Sequence, residues 1–163
     1  MKNRAGFTLV ELLIVMAIAA ILAVIAVPSF WTFIQNQRAT TQANNLVTAV
    51  NLARSEAARR GSDVQICAST DQQNCDSTDW TSGWIARDAD ADEVLRVWGP
   101  LPATGNLNEG GTAGTIVFNG RGEADGSYAF TLWFDGCAGE QTRSIRINLA
   151  GRPSVTRSNA ECD

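Results

Sequence analysis

Apolar residues follow two different rules along this chain. From Leu12 to Val27 every residue is apolar, and the uncharged run continues to Gln37. As a helix rising about 1.5 Å per residue, this stretch covers roughly 24 Å by Val27 and about 34 Å by Ile34, enough to cross a bilayer core. From Ala43 the rule changes. Ala43, Leu46, Val50, Ala53 and Ala57 recur at helical steps while Arg38, Gln42, Asn45, Asn51 and Arg59 fall elsewhere, which makes a narrow apolar stripe on a polar helix. Arg59-Arg60-Gly61 is a stop signal, since cations favour the last helical turn and glycine the left-handed cap. The pattern predicts one helix from Phe7 to about Arg60, bent at Pro28.

Beyond Gly61 the period shortens to two. Val64 to Cys67, Trp84 to Arg87, Val94 to Trp98, Thr115 to Asn119, Tyr128 to Phe134 and Arg143 to Leu149 are short β-favouring runs separated by Gly, Asp, Asn and Ser. In the last of them Ile145, Ile147 and Leu149 are expected to face inward and Arg146 outward. Gly105 to Gly114, rich in Gly, Asn and Thr, reads as a mobile surface loop. An antiparallel sheet packed on the helical stripe buries both apolar faces, an α+β arrangement.

Length and charge narrow the function. After the apolar segment, the 163 residues leave room for one globular domain of about a hundred residues. The formal charge is −4, and there is no histidine, so the commonest general base and metal ligand is missing. No Ser/His/Asp set and no phosphate-binding glycine loop is present. The sequence offers no active site, and we read the chain as not an enzyme and without a cofactor.

The two cations Lys2 and Arg4 lie before the apolar run and one acid, Glu11, sits just inside it. An acid in such a helix costs up to about 3 kcal/mol near the bilayer centre, so it is kept for a partner. Arg4-Ala5-Gly6-Phe7-Thr8-Leu9-Val10-Glu11-Leu12-Leu13 resembles the signal of type IV pilins and type II secretion pseudopilins. The resemblance implies a leader at 1–6, cut by prepilin peptidase between Gly6 and Phe7 with methylation of the new N-terminus. It also implies a transmembrane and assembly helix at 7–34 and a periplasmic head at 35–163. Glu11 then pairs with the N-terminal amine of a neighbouring major or minor pilin subunit. The positive-inside rule places the Lys2/Arg4 end in the cytoplasm and the chain in the inner membrane before assembly. The alternative is an ordinary secretory signal, cleaved after the apolar run.

Further motifs extend the resemblance along the chain. Ala57-Ala58-Arg59-Arg60-Gly61, Val64-Gln65-Ile66-Cys67, Asp79-Trp80, Gly83-Trp84-Ile85 and Phe118-Asn119-Gly120-Arg121-Gly122 are similar to the GspH/FimT/FimU group of minor pilins and pseudopilins. The fold it implies is pilin-like, with the long N-terminal helix packed against a small antiparallel sheet.

Four groups of head residues carry candidate chemistry. Cys67, Cys75, Cys137 and Cys162 allow three connectivities, and we favour the local pairs Cys67 with Cys75 and Cys137 with Cys162. A four-cysteine zinc site is the competing reading, without any CxxC spacing to support it. Asp88, Asp90 and Asp92 alternate in a way that suits a hard cation, but the glycine and glutamate of a calcium loop are absent; a solvated hairpin turn is the plainer reading. Trp80, Trp84, Trp98, Trp133, Phe118, Phe130 and Phe134 are expected in the core rather than on a stacking platform. Arg143, Arg146, Arg152 and Arg157 form an acid-free basic tail in an acidic chain. Gly151-Arg152-Pro153-Ser154-Val155-Thr156-Arg157 resembles the C-terminal glycine-arginine motif with which some FimT-type pilins bind DNA, but has serine at position 154.

Overall fold

The computed structural model describes residues 8–111 and 113–162, with the backbone alone at Pro28. The Gly6/Phe7 junction lies outside these residues, as do Lys2 and Arg4. Helix α1 runs Leu9–Arg60, continuous through Pro28. The chain divides into two compact units, Met1–Ile34 and Gln35–Asp163, called here the stem and the head.

In the stem, the large apolar side chains from Leu9 to Phe33 are each more than half exposed. They are open to their surroundings, and the helix is long and apolar enough to cross a membrane. In the head, α1 buries Gln35, Ala39, Ala43, Leu46, Ala49, Val50, Ala53 and Ala57 on one stripe. Alanine predominates, so sheet side chains pack close to the helix backbone. Gly61 ends the helix at φ 69°, and its N–H bonds Ala57 O at 2.8 Å.

The expected sheet is in fact two antiparallel sheets of four strands. The first contains β1 (Val64–Ala68), β2 (Trp84–Asp88), β3 (Val94–Trp98) and β5 (Thr115–Phe118), in the order β3-β2-β1-β5. The second contains β4 (Gly105–Glu109), β6 (Tyr128–Phe134), β7 (Thr142–Ile147) and β8 (Pro153–Ser158), in the order β4-β6-β7-β8. One core cluster joins the α1 stripe to Ile66, Trp84 and Phe118 of the first sheet and Phe130, Leu132, Phe134, Ile145 and Ile147 of the second. Each fully buried side chain of this kind contributes about 1.5–3 kcal/mol of hydrophobic stabilisation. Cys67 and Ile85 are register partners and fully buried, yet lie outside that cluster.

Three expectations change. Gly105–Glu109 is a strand and not a mobile loop: it pairs with β6 from Gly105↔Phe134 to Glu109↔Phe130, and only Leu107 of it is buried. Its ladder is made by the backbone, which side-chain composition does not reveal. Within the basic tail, Pro153–Ser158 is likewise a strand that the sequence pattern did not suggest, with Pro153 opening it at the sheet edge, where a missing N–H is tolerated. Leu149, expected inside, is 61% exposed because β7 stops at Ile147.

Candidate functional site

At the start of α1, Thr8 and Glu11 close a reciprocal pair. Glu11 Oε2 accepts from Thr8 N and Thr8 Oγ1, both at 3.0 Å, and Thr8 Oγ1 accepts from Glu11 N at 3.2 Å. This is a capping box, in which threonine and the glutamate three residues on satisfy helix-end donors for each other. Thr8-Leu9-Val10-Glu11 carries that signature in the sequence, a signal that the charge-partner argument for Glu11 passed over. Among the described residues the carboxylate is therefore held at the exposed edge of the stem by the neutral N–H and hydroxyl of Thr8.

The four tail arginines separate. Arg143 is 3% exposed. It lies on the inward face of β7, where Nη1 donates to the carbonyls of Glu140, Gln141 and Thr142 at 3.0–3.2 Å. Nη2 donates to Thr40 Oγ1 at 3.1 Å and to Asn36 Oδ1. Burial, and after it the Arg157 charge, lowers its pKa. This arginine ties β7 to α1 and cannot reach an incoming polyanion. Arg157, its register partner on β8, is exposed.

Arg146 and Arg152 come together. With Ser127, Tyr128, Asn148 and Pro153 they line a groove of about 630 Å³. A second hollow, of about 260 Å³, is lined by Asn51, Arg54, Ser55, Arg121 and Gly122. The turn at Gly151 adjoins it: at φ 69°, an added Cβ there would lie 2.5 Å from Gly122 O and 3.2 Å from Arg54 Cδ. Only glycine fits. Arg54, remote from the tail in sequence, thus borders the Gly151 turn, with Arg121 in the hollow beside it, and no periodicity or motif could have shown it.

The acidic turn is occupied by the protein's own cations. Asp88 Oδ1 accepts from Asp90 N and Ala91 N at 3.0 Å, and Oδ2 from Arg60 Nη1 at 3.0 Å. The Ala91 bond first, and then Asp90 and Arg60, lower its pKa against the opposing effect of burial. Arg60 also pairs with Glu93 at 2.9 Å, and Arg87 pairs with Asp92. Asp88, Asp90 and Asp92 do not converge as a ligand set, and among the described residues no group of three His, Cys, Asp or Glu is placed to hold a metal. On α1, Glu56 is paired with Arg59 and Arg60, which hold its carboxyl at about 2.

Cysteines are joined as Cys67–Cys75 and Cys137–Cys162. The first bridge closes a polar loop in which Asp71 Oδ1 accepts from Gln73 N and Asn74 N. The second fastens the residues after β8 beside Thr142, whose hydroxyl donates to Ala160 O.

Residues 42–151 match the family model described as type II transport protein GspH. Residues 1–27 match the prokaryotic N-terminal methylation motif. The chain is similar to the type IV minor pilin FimU of Pseudomonas aeruginosa PAO1, with a TM-score of 0.62 at 21% identity over 76% of this chain and 92% of that one. It is also similar to the minor pseudopilin EpsH from the type 2 secretion system of Vibrio cholerae, with a TM-score of 0.54 at 15% identity over 74% and 97%. At these identities the likeness to the two structures is one of fold.

Proposed function

Because this chain belongs to the GspH family of type II transport proteins, we propose that it is a minor pilin or pseudopilin that enters a type IV pilus or type II secretion filament by its N-terminal helix. The observation that carries the reading is the stem: an apolar helix whose large side chains are exposed, with the Glu11 carboxylate anchored at its edge. Such a surface needs lipid first and neighbouring helices later. Prepilin peptidase cuts after Gly6 and methylates Phe7, and the head lies in the periplasm, where its two disulfides persist. The cytoplasmic N-terminus follows from Lys2 and Arg4.

Glu11 then works in two stages. In the free subunit, Thr8 satisfies its carboxylate. In the filament, the N-terminal amine of an adjacent subunit takes over as a donor that carries its own charge, which adds ion pairing to the hydrogen bond that the carboxylate accepts. Glu11→Leu removes this pairing while easing membrane insertion. It is expected to be cut and inserted normally but to lose to the wild type when both compete for incorporation. Equal incorporation would remove Glu11 from assembly.

A second reading, a subunit that also binds DNA, is favoured by one observation: Arg146 and Arg152 share a groove, with Arg54 at the adjoining turn and Arg121 in the hollow beside it. Contacts of this kind are to phosphates and indifferent to base sequence. Two such contacts give a log–log salt slope near −1.8, and four give about −3.6. Arg146→Gln with Arg152→Gln is expected to abolish duplex binding and leave assembly intact. Unchanged binding by the double variant would end this reading.

A further inference from the structure

The outward face of the second sheet is polar apart from one large side chain. Along β6, Phe130, Leu132 and Phe134 point into the core, while Ala129, Thr131 and Trp133 point out. Trp133 is paired in register with Asn106 of β4, and Thr131 with Asn108. Trp80, Trp84, Trp98, Phe118, Phe130 and Phe134 are all buried; Trp133 is only half-buried, on the face away from the core. Part of the indole thus stays open to solvent on a face that otherwise carries small or polar side chains.

Beside it lies a hollow of about 300 Å³, open to solvent, with Trp133, Asn106, Asn108, Asp79, Thr81 and Glu109 among its lining. That volume is at the lower end of the range for small-ligand sites. Asp79, Glu109 and Asn106 are held by the fold. Asp79 accepts Thr81 N at 2.9 Å and Thr81 Oγ1 at 2.7 Å, both on Oδ1. Glu109 accepts Gly111 N at 3.0 Å and Ala113 N at 3.1 Å, both on Oε2. Asn106 Nδ2 donates to Asp135 Oδ1 at 2.8 Å. Each of these side chains has spent one polar atom on fixing its own position and keeps another oxygen with accepting capacity.

We propose that this hollow binds a neutral saccharide, one pyranose ring lying against Trp133 with its hydroxyls bonded to the amides of Asn106 and Asn108 and the carboxylates of Asp79 and Glu109. The chemistry selects the ligand. A pyranose presents an apolar C–H face to an aromatic ring and a rim of hydroxyls that are both donors and acceptors. Amides and carboxylates fixed around an indole match that combination. No arginine lines the hollow, so nothing there favours a phosphate or another anion. The site is separate from the Arg146/Arg152 groove, with which it shares no lining residue.

The test uses the full chain in a detergent without a sugar headgroup, titrated with two probes: a tetramer of β-1,4-linked N-acetylglucosamine and a tetramer of β-1,4-linked glucose. Binding is followed by backbone amide shifts and tryptophan fluorescence. The expected result is saturable shifts at Asn106, Asn108 and Thr81 with at least one of the two. Trp133→Ala weakens binding about tenfold, within the range of an aromatic contact. Asn108→Ala, on an exposed side chain that leaves the core untouched, weakens it severalfold. Shifts with neither probe would overturn the proposal, as would binding unaltered in both variants.

Discussion

The two halves of α1 have the same backbone and opposite relations to their surroundings. In the stem, Leu12, Ile18, Leu22 and Phe33 are large and exposed; in the head, Ala39, Ala43, Ala49, Ala53 and Ala57 are small and covered. Side-chain size is thus inverted relative to burial. The difference teaches that the stem's apolar surface is not failed core. It is uniform around the helix, as suits lipid or other helices on all sides, whereas the head's stripe is narrow and cut to the width of two sheets.

The sharpest way to break this comparison is to shorten one leucine in each half. Leu46→Ala opens a cavity in the core and is expected to cost the head about 2–5 kcal/mol in thermal or denaturant unfolding. Leu22→Ala, on an exposed position, is expected to change head unfolding by less than about 0.5 kcal/mol. Comparable losses in both would mean that the stem is packed as a core.

Next in size is the bridge that fastens the edge of the second sheet. Cys137→Ser with Cys162→Ser is expected to cost about 2–4 kcal/mol on the loop-entropy model. Hydrogen exchange should rise first in β8, an exposed edge strand, and leave the stem unchanged. Uniform loosening of the whole head would contradict this order.

The smallest effect is on acid stability. Glu56 is held at about 2 by Arg59 and Arg60, and the Asp71 carboxyl is lowered by its bonds to Asn74 and Gln73. A carboxyl whose folded pKa is depressed adds stability above its unfolded value, which is lost as pH falls through the folded one. Head melting is therefore expected to be flat from neutral pH to about 4.5 and to fall from there toward pH 2. These groups are solvent-facing, so the change is modest. A maximum of stability below pH 4 would reverse the sign.

How much of this was legible in the sequence varies by element. The helix, its stop at Gly61 and the strands around Phe130 and Ile145 could be read because their side chains recur with the period of the element, and the strands around Ile66 and Trp84 because they are short β-favouring runs, buried on consecutive residues. β4 and β8 could not. Both are edge strands whose pairing is made by backbone groups, and their exposed Asn, Ser and Thr look the same in a loop. The tail arginines were legible as a group of charges, but not as one buried tie at Arg143 and a groove at Arg146 and Arg152, because strand register and the proximity of Asn36 and Thr40 decide that. Trp133 looked like the other aromatics until β6 set which residues faced out.

All of this rests on the stem being kept, and the mass of the mature chain extracted from membranes decides it. The account predicts a chain that has lost residues 1–6 and begins with N-methylated Phe7, retaining Glu11 and the apolar half of α1. A mature chain beginning near Pro28 would contradict it, since the apolar half of the helix would then have been a discarded signal and no part of a filament.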